Sequence, residues 1–485
     1  MKIAISFPPL QSGKGIPLLS QNRQFQWFSN PTFIYPMIPA SAATYLKSLG
    51  HDVIWDDGIA EELTYDQWVA RIVGKRPDLI AMESKTPVIK RHWKIVDDIK
   101  ARLPQVKVVL MGDHVTALPH ESMSACSVDY VVTGGDFDFL LAELVQFIQS
   151  GETPSSSIYY RNKEGQVMHG QSQPLRPALD DLPMIDRDLT RWQLYSEKNG
   201  NFKYLPGTYT MAGRDCWWGR CAFCSWTTLF PGKGFKSVSP DRLLDEIGIL
   251  IEKYKVREIF DDSGSFPKGG WLREFCKGMI DRGYHKKVVM GCNMRVNALS
   301  QEEWNLLGKA NFRFILIGLE SMNQATLDRL NKGIKAGQIE QTIRMAKRAG
   351  LEPHITTMVG YPWESKKDAQ ETINFARQMF IKGYIDSLQA TIVVPYPGTP
   401  MFEDAKANGW LLTEDWDRYD MRESVWKSEV GTEEVKCFTQ ELYKAALHPR
   451  FVLRKVGRIR SMDDIRFLAR AGMKVIGHLK DFARV

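Results

Sequence analysis

Short apolar runs alternate with amphipathic helical patterns along most of this chain, and that alternation limits its fold more than any other feature. In the first part, apolar runs predict strands at residues 2–7, 52–55, 78–82, 106–111 and 130–132. Helical patterns fill the intervals between these runs. Strands that alternate with helices through short loops predict a parallel, doubly wound sheet of the flavodoxin or Rossmann type. Ligands of such sheets bind at the carboxyl ends of the strands.

The alternation resumes beyond a proline-containing stretch that ends near residue 200. Six further strands are predicted at residues 208–212, 258–261, 288–292, 314–317, 352–359 and 387–393, again with helical patterns between them. Six consecutive strand–helix units predict a partial (β/α)6 barrel, whose chemistry lies at the carboxyl ends of its strands.

A chain of 485 residues is too long for one ordinary hydrophobic core, so several domains are expected. The pattern predicts a doubly wound domain over 1–150 and a linker with a β-hairpin over 151–200. The barrel is expected over 201–400, followed by a mainly helical region with a basic tail over 401–485. The fold class is therefore α/β throughout, with a helical C-terminal cap.

Three cysteines lie close together directly after the first strand of the predicted barrel. Cys216, Cys221 and Cys224 span nine residues, and three thiolates at this spacing can converge on one metal centre. A structural zinc site would need a fourth ligand, yet the next Cys or His is Cys276. A disulfide framework is not expected from 7 cysteines in 485 residues. The spacing favours an iron–sulfur cluster with one open iron over zinc.

The segment from Cys216 to Cys224 resembles the cluster loop of radical S-adenosylmethionine (SAM) enzymes. This chain reads C-x4-C-x2-C, where that family usually shows C-x3-C-x2-C. The resemblance implies a [4Fe–4S] cluster held by the three cysteines, which act as metal ligands and catalytic residues. It also implies SAM at the open iron, and an external electron donor of the flavodoxin or ferredoxin type.

By the same resemblance, the loops after four barrel strands contact SAM. The residues implied are Asp261, Asp262, Ser263, Asn293, Arg295, Glu320, Ser321, Gly360, Tyr361 and Pro362. Each position also has an ordinary interpretation, because aspartates cap helices and glycines form turns. Their shared order, with one polar or Gly-rich loop after each successive strand, favours the cofactor interpretation.

The loops after the third, fourth and fifth strands of the first part are rich in small and polar residues. They contain Ser84, Thr86, Gly112, Asp113, His114, Val115, Thr116, Gly134 and Gly135. Small residues let a large flat ligand approach the backbone closely. The segment 112–134 resembles the cobalamin-binding domain of one radical SAM subgroup, which implies that these residues contact cobalamin. Because the chain lacks the Asp-x-His-x-x-Gly pattern, His114 is expected to shape the loop or contact the cobalamin tail. It is not expected to bind cobalt.

The subgroup resemblance implies a C-methyltransferase acting on an unactivated carbon of a small-molecule or lipid-like substrate. A cyclisation, rearrangement or oxidation without net methyl transfer is the alternative within the same superfamily. An iron–sulfur redox sensor or binding protein is the alternative from another class. The strand-end loops weigh against the sensor, because a sensor needs no adenosine pocket.

The net charge of +7 lies entirely in the last segment of the chain. Residues 449–485 contain ten Lys or Arg and three Asp or Glu, while the remainder carries 54 of each sign. The balanced main body weighs against nucleic-acid binding. The tail either lies on an anionic membrane surface or forms a basic helical lid on the main domain. Without a long apolar run or a signal-peptide pattern, the expected location is the cytoplasm.

Overall fold

The computed structural model describes residues 1–10, 12–17, 27–173, 177–230, 234–445 and 448–483. Its strands are β1 (Lys2–Phe7), β2 (Ile16–Pro17), β3 (Trp27–Phe28), β4 (Asp52–Asp57), β5 (Leu79–Glu83), β6 (Lys107–Met111), β7 (Tyr130–Val132), β8 (Ile158–Arg161), β9 (Val167–His169), β10 (Gly207–Thr210), β11 (Gly213–Arg214), β12 (Lys236–Ser237), β13 (Glu258–Asp261), β14 (Val289–Met294), β15 (Phe312–Glu320), β16 (Glu352–Val359) and β17 (Ser387–Ile392).

The helices connect and cover these strands. They are α1 (Met37–Ser48), α2 (Tyr65–Lys75), α3 (Ile89–Arg102), α4 (Asp113–Ala117), α5 (Pro119–Ala125), α6 (Phe137–Ser150), α7 (Trp226–Leu229), α8 (Pro240–Glu252), α9 (Gly270–Asp281), α10 (Gln301–Lys309), α11 (Gln324–Arg329), α12 (Gly337–Arg348), α13 (Lys366–Lys382), α14 (Pro400–Ala407), α15 (Thr432–Ala445), α16 (Pro449–Val456) and α17 (Met462–Ala483).

The first large sheet has the strand order β4-β1-β5-β6-β7-β8-β9. Its first five strands are parallel and, counted along the chain among themselves, follow the 2-1-3-4-5 order of flavodoxin-like folds. The hairpin β8–β9 extends the sheet antiparallel at one edge. Strands β5 and β6 are buried on both faces, which explains why the sequence shows continuous apolar runs there.

The second large sheet contains six parallel strands in the order β10-β13-β14-β15-β16-β17. Each strand pairs with the next through parallel registers, as the predicted partial barrel requires. Helices with apolar inner faces separate consecutive strands; α8 and α12 each bury an apolar stripe against the sheet. The predicted α/β class with a (β/α)6 barrel is therefore confirmed.

The chain after the barrel forms the mainly helical cap that the sequence predicts. This cap contacts both of the preceding parts of the chain: the Trp416 indole N–H donates to Glu121 Oε1 in α5 at 2.8 Å, and Lys203 Nζ, in the segment before β10, lies 2.5 Å from Asp464 Oδ1. No helix within the described ranges combines the length and the apolarity that crossing a bilayer requires.

One predicted loop is instead helical. The residues after β6 were expected to form an irregular turn, but Asp113–Ala117 form the short helix α4. Gly112 has φ +124°, which turns the chain sharply at the strand end and lets a helix begin at once. The Thr116 hydroxyl then donates to the Gly112 carbonyl oxygen at 2.6 Å and closes the turn.

Candidate active site

A cavity of about 480 Å³ lies between the barrel, the first sheet and the C-terminal helix α17. Two of its sides are named after the elements that form them. The barrel wall comprises the cysteine loop 213–227 and the ends of β13–β16 with the loops that follow them. The sheet wall comprises the loops 83–87, 112–116 and 133–136 at the carboxyl ends of β5, β6 and β7.

The cysteine loop is held in place from both sides. The Ala222 N–H donates to the Leu330 carbonyl at 2.9 Å, and the Ala222 carbonyl accepts from the Met401 N–H at 2.9 Å. Gly219 has φ +56°, which lets the loop curl back between these anchors. As a result, Cys216, Cys221 and Cys224 all line the cavity.

The three thiols lie in one electrostatic neighbourhood. Burial raises the pKa of Cys221 and of Cys224, and each of these pKa values is also affected by the other cysteines. Buried thiols are therefore neutral unless a cation stabilises the thiolate, and a metal cluster supplies that charge. Among the described residues, no three Cys, His, Asp or Glu side chains converge closely enough to hold a single metal ion. A four-iron cluster occupies more space than one ion.

Two tryptophans absorb the extra residue between the first two cysteines. The Trp217 indole N–H donates to the Phe266 carbonyl at 3.1 Å, and that of Trp218 donates to the Asn331 carbonyl at 2.8 Å. The Arg295 guanidinium lies 4.6 Å from the centre of the Trp218 ring, and its Nη1 is 3.8 Å from Cys221 Sγ. A cation beside a ligand sulfur stabilises negative charge on that sulfur.

Three of the predicted SAM-contact residues reach the cavity. Asn293, Arg295 and Glu320 all line it. Glu320 has φ +64° at an irregularity in the β15–β16 pairing, and its Oε1 accepts from Lys332 Nζ at 2.6 Å. Both partners of this ion pair are nearly fully buried, so the barrel wall presents a neutral but strongly polar pair to the cavity.

Four other predicted SAM-contact residues hold the strand ends together and do not line the cavity. The Asp261 carboxylate accepts from the Ala212 N–H at 2.7 Å and from the Ser263 hydroxyl at 2.5 Å. The Asp262 N–H donates to the Thr210 carbonyl, and the Ser321 hydroxyl donates to Glu364 Oε1 at 2.6 Å. Because Ala212 immediately precedes the cysteine loop, the buried Asp261 fixes where that loop begins.

The predicted segment Gly360, Tyr361 and Pro362 follows β16 and lies under the C-terminal cap. The Gly360 carbonyl accepts from the Trp426 indole N–H at 2.9 Å. The Tyr361 ring is buried and stacks on Trp363 at 5.3 Å, while its hydroxyl has no hydrogen-bond partner among the described residues. None of these three residues lines the cavity.

The sheet wall contributes Lys85, Thr86 and Asp113 to the cavity lining. Lys85 Nζ lies 3.2 Å from Asp113 Oδ2, and both residues are nearly fully buried. His114 is enclosed behind them: Nδ1 is 3.2 Å from Thr86 Oγ1, and Nε2 is 2.9 Å from Glu121 Oε2. Both ring nitrogens are therefore engaged by protein groups, which leaves neither for a metal in the cavity.

Glycines let the loops of the sheet wall approach one another and the cysteine loop. A Cβ at Gly112 would lie 2.1 Å from the Ser84 carbonyl oxygen, and one at Gly135 would lie 2.3 Å from the Phe230 ring. The Gly134 N–H donates to Thr116 Oγ1 at 3.0 Å. Val115 is fully buried below them. Protein atoms therefore fill the space beside Gly112 and Gly135, and neither glycine lines the cavity; the sheet wall reaches it through Lys85, Thr86, Pro87 and Asp113.

Asp215 lines the cavity beside the cysteines and was not expected there from the sequence. Lys332 and Lys85, which lie in the loops that the resemblance implied, line it beside Glu320 and Thr86. The available signal was a charged residue within an otherwise apolar strand–loop–strand pattern. A charge is rarely buried without a partner, so such a residue indicates a polar site.

A second missed feature joins the two walls. Arg214, which directly precedes the cysteine loop, donates from Nη1 to Asp136 Oδ1 and to Asp138 Oδ1, both at 2.8 Å. Asp138 is fully buried in the apolar helix α6. Aspartate between two phenylalanines signals a buried partner, but sequence alone does not identify that partner.

Known protein families match both the domain of the first sheet and the barrel. Residues 33–139 match the B12 binding domain family, and residues 212–376 match the radical SAM superfamily. These two families imply cobalamin for the first part, and a [4Fe–4S] cluster with SAM for the second.

The chain is also similar to several proteins over most of its length. An uncharacterized methyltransferase of Pyrococcus horikoshii is 28% identical over 426 residues, which cover 85% of this chain and 87% of that protein. The anaerobic magnesium-protoporphyrin IX monomethyl ester cyclase of Rubrivivax gelatinosus is 26% identical over 81% of this chain and 70% of its own length. The radical SAM methyltransferase TsrM of Kitasatospora setae superposes with a TM-score of 0.69 at 13% identity, covering 99% of both chains.

The cysteine loop, the joint cavity and the two family matches lead to one assignment. The three cysteines fit a cluster because all of them line one cavity, with Cys221 buried and Cys216 and Cys224 partly exposed. The sheet wall offers Lys85, Thr86 and Asp113 to a corrin ring in the same cavity. The chain combines a B12-binding domain over residues 33–139 with a radical SAM domain over residues 212–376.

Proposed function

We propose that this protein is a cobalamin-dependent radical SAM methyltransferase that methylates an unactivated carbon of a small-molecule or lipid-like substrate. The observation that carries this proposal is the single cavity lined jointly by the cysteine loop and by the loops of the B12-binding domain. When bound, the cluster supplies the electron that cleaves SAM, and cobalamin supplies the methyl group. A substrate in this cavity contacts both walls at once.

The residues of the barrel wall have distinct proposed roles. Cys216, Cys221 and Cys224 hold the cluster. Glu320 and Asn293 present an acceptor and an amide to the amino and carboxylate groups of SAM, and Arg295 places a cation beside the Cys221 sulfur. Asp261, Asp262, Ser263 and Ser321 act as positioning residues that fix the loops, as do Gly360, Tyr361 and Pro362 under the cap.

The sheet wall acts by shape. Gly112, Gly134 and Gly135 allow the close packing that positions these turns beside a corrin ring, while Ser84, Val115 and Thr116 support the turns from behind. Thr86 and Asp113 face the ring, and His114 stays in the wall behind them. Two stacked rings, Trp226 and Phe230 at 5.1 Å, lie where the walls meet and exclude water there.

Three further assignments complete the proposal. The working division of the chain is 1–150, 151–200, 201–400 and 401–485. A flavodoxin or ferredoxin supplies the electron from outside. The cytoplasm, which is reducing, suits the seven free cysteines of the chain.

Product mass separates methyl transfer from the cyclisation that the Rubrivivax relative's name describes. Protein purified anaerobically is assayed for iron, for corrinoid and for reductive cleavage of SAM. We expect all three, with a gain of one methylene in the product. A loss of hydrogen without a methylene would favour a cyclase or an oxidase, and a cluster without SAM cleavage would favour a redox sensor.

The outer face of the C-terminal helices supports membrane contact. Val452, Leu453, Val456, Met462 and Ile465 are exposed, and Leu453 is 72% accessible. Basic residues flank them, including the exposed Arg450, Arg458 and Arg466. Apolar groups among cations fit an anionic lipid surface.

Cosedimentation should be stronger with vesicles containing phosphatidylglycerol than with phosphatidylcholine alone, and Leu453→Glu should weaken it. Equal sedimentation with both vesicles would contradict membrane contact.

A further inference from the structure

Helix α17 contributes one of its faces to the lining of the cavity. Phe467, Ala471 and Lys474 line the cavity from this face. Their spacing of four and three residues puts them on one side of the helix. Lys474 is the cation of this set, and its surroundings are unusual for a lysine.

The Lys474 side chain is largely enclosed by the chain before the barrel. Nζ contacts the Pro31 carbonyl oxygen at 3.3 Å and the Thr32 hydroxyl. Gly200 makes room for it, because a Cβ there would lie 2.6 Å from Lys474 Cδ. No carboxylate among the described side chains lies within ion-pair distance of this ammonium. Burial lowers the pKa of Lys474 to about 8.

A second cation strengthens the need for a negative partner. Arg470 lies one helical turn before Lys474 and contributes to the lowering of its pKa. Its Nη2 donates to the Phe202 carbonyl at 3.0 Å, and its Nε is buried without a hydrogen-bond partner among the described residues. Like charges four residues apart on a helix repel each other.

The carboxylates nearest to this pair of cations are already occupied. Asp464 pairs with Lys203 at 2.5 Å, and Asp463 pairs with Arg257 at 2.6 Å. Glu258 accepts from the buried Arg313. These carboxylates are therefore engaged by other cations, and none of them pairs with Lys474.

We propose that Lys474, supported by the field of Arg470, binds an anionic group of the substrate, so that the enzyme acts on a carboxylate- or phosphate-bearing molecule. This inference rests on the proposed function, because it concerns the substrate of the same cavity. An anion there satisfies the ammonium and orients the remainder of the molecule toward the two walls. Lys474 is then a specificity-determining residue at the end of the cavity formed by α17.

The test compares acids with their neutral amides on the anaerobic holoenzyme. The probes are 3-phenylpropanoate, indole-3-propanoate and dodecanoate, each paired with its primary amide and titrated calorimetrically at pH 7. We expect at least one acid to bind about tenfold more tightly than its amide, as one charge-assisted contact gives.

Variants assign that preference to one side chain. Lys474→Met should remove it and Lys474→Arg should retain it. Arg466→Met is the matched control, because it removes one positive charge from the exposed side of the same helix and should leave the preference unchanged. A preference that survives in Lys474→Met, or that none of the three pairs shows, would overturn the inference.

Cofactor content separates this result from other failures. Iron and corrinoid are measured in every sample. If Lys474 instead binds the phosphate of cobalamin, Lys474→Met will lose corrinoid, and the inference is then wrong. If the wild-type protein binds neither iron nor corrinoid, the proposed function itself fails, whatever the acids do.

Discussion

The barrel wall carries chemical groups that face the cavity, whereas the sheet wall is closed mainly by contacts among its own residues. Three thiols, an arginine beside one of them and the Glu320–Lys332 pair line the cavity on the barrel side. On the sheet side, His114 is bonded at both nitrogens and turned away, and Gly112 and Gly135 contribute an absence of side chain. In the proposed function, the barrel wall holds its cofactors through ligands and charges, and the sheet wall does so mainly through shape, with Lys85 and Asp113 as its charged groups at the cavity.

This difference predicts how each wall responds to substitution. Changes at the cysteines of the barrel wall should remove cofactor chemistry while the fold survives, because the thiols contribute little to the packing. Changes in the sheet wall should affect stability and corrinoid content together, because its residues both pack the domain and shape the site.

The largest effect is expected from the cysteine ligands. Replacing Cys216, Cys221 or Cys224 with Ala removes one of three ligands, so iron content should fall to background and SAM cleavage by more than about 100-fold. Cys437→Ala, at an exposed site in α15, is the matched control and should retain both. Iron analysis and quantification of the cleavage product check this. Full cleavage in any single ligand variant would mean that the loop does not hold the cluster.

Gly112→Ala should be the most damaging single change in the sheet wall. Its Cβ would meet the Ser84 carbonyl at 2.1 Å in a backbone with φ +124°. Overpacking and backbone strain together should cost about 2–5 kcal/mol of unfolding free energy and most of the corrinoid. Gly50→Ala is the control: φ is +86° but nothing lies within 4 Å, so strain alone should cost about 1 kcal/mol. Equal losses in chemical denaturation would show that the clash is relieved.

Substitutions in the Glu320–Lys332 pair test whether each buried charge of the barrel wall needs its partner for stability. Lys332→Met leaves a buried carboxylate unpaired and should destabilise the protein by about 3–5 kcal/mol. Glu320→Gln combined with Lys332→Met should cost less than the sum of the single changes. The Arg273–Glu303 pair serves as control: Arg273→Met removes the exposed partner, leaves the Glu303 capping box of α10 in place and should change stability little. Strictly additive losses would contradict the buried coupling.

Strand bounds could be predicted where a local sequence pattern determines the structure. Strands β1, β7, β13 and β16 have the predicted bounds, because parallel strands in a covered sheet are marked by apolar runs and the turns that end them. The cysteine loop was found because its spacing carries chemistry. Residue type alone could not show that Asp261 bonds to the Ala212 backbone while Glu320 faces the cavity. Both are acidic residues at strand ends, and only the pairing of the strands separates them.

Contacts between residues far apart in the sequence could not be predicted. Arg214 binds Asp136 and Asp138 across 78 and 76 residues of sequence, and this contact joins the two walls. Lys474 reaches Thr32 across 442 residues. Neither contact leaves a periodic signal in the sequence, because each depends on how separately folded elements pack together.

Glu83 is the exception in the otherwise satisfied sheet wall. Its carboxylate is buried without a hydrogen bond among the described residues, and burial raises its pKa to about 7. The unfolded chain releases this proton near pH 4.5, so stability should fall as the pH rises from about 4.5 to 7 and stay low above it. Glu83→Gln should therefore be more stable than the wild type at pH 8, by about 2–3 kcal/mol.

Chemical denaturation of both proteins at pH 5 and pH 8 checks this. Lys85 lowers the Glu83 pKa and Asp113 raises it, so both partners are kept in the variant. Glu61→Gln is the control. The Glu61 carboxylate pairs with Arg71 and Arg191, so the Glu61→Gln variant should be less stable than the wild type at pH 8. A Glu83→Gln variant that is less stable at pH 8 would show that the carboxylate has a partner in solution.

The smallest effect is expected from His114, although histidine is the residue that sequence reasoning would first suspect as a cobalt ligand. Its two nitrogens already contact Thr86 and Glu121, so the protein gains nothing by turning the ring into the cavity and would leave the Glu121 carboxylate without this partner. His114→Gln keeps a hydrogen-bonding side chain at this position. Electron paramagnetic resonance of the reduced, corrinoid-loaded protein should show no nitrogen coupling to cobalt from protein, and the same spectrum in the variant. Nitrogen coupling that disappears with His114→Gln would mean that the sheet wall also binds by chemistry, and the contrast between the two walls would fail.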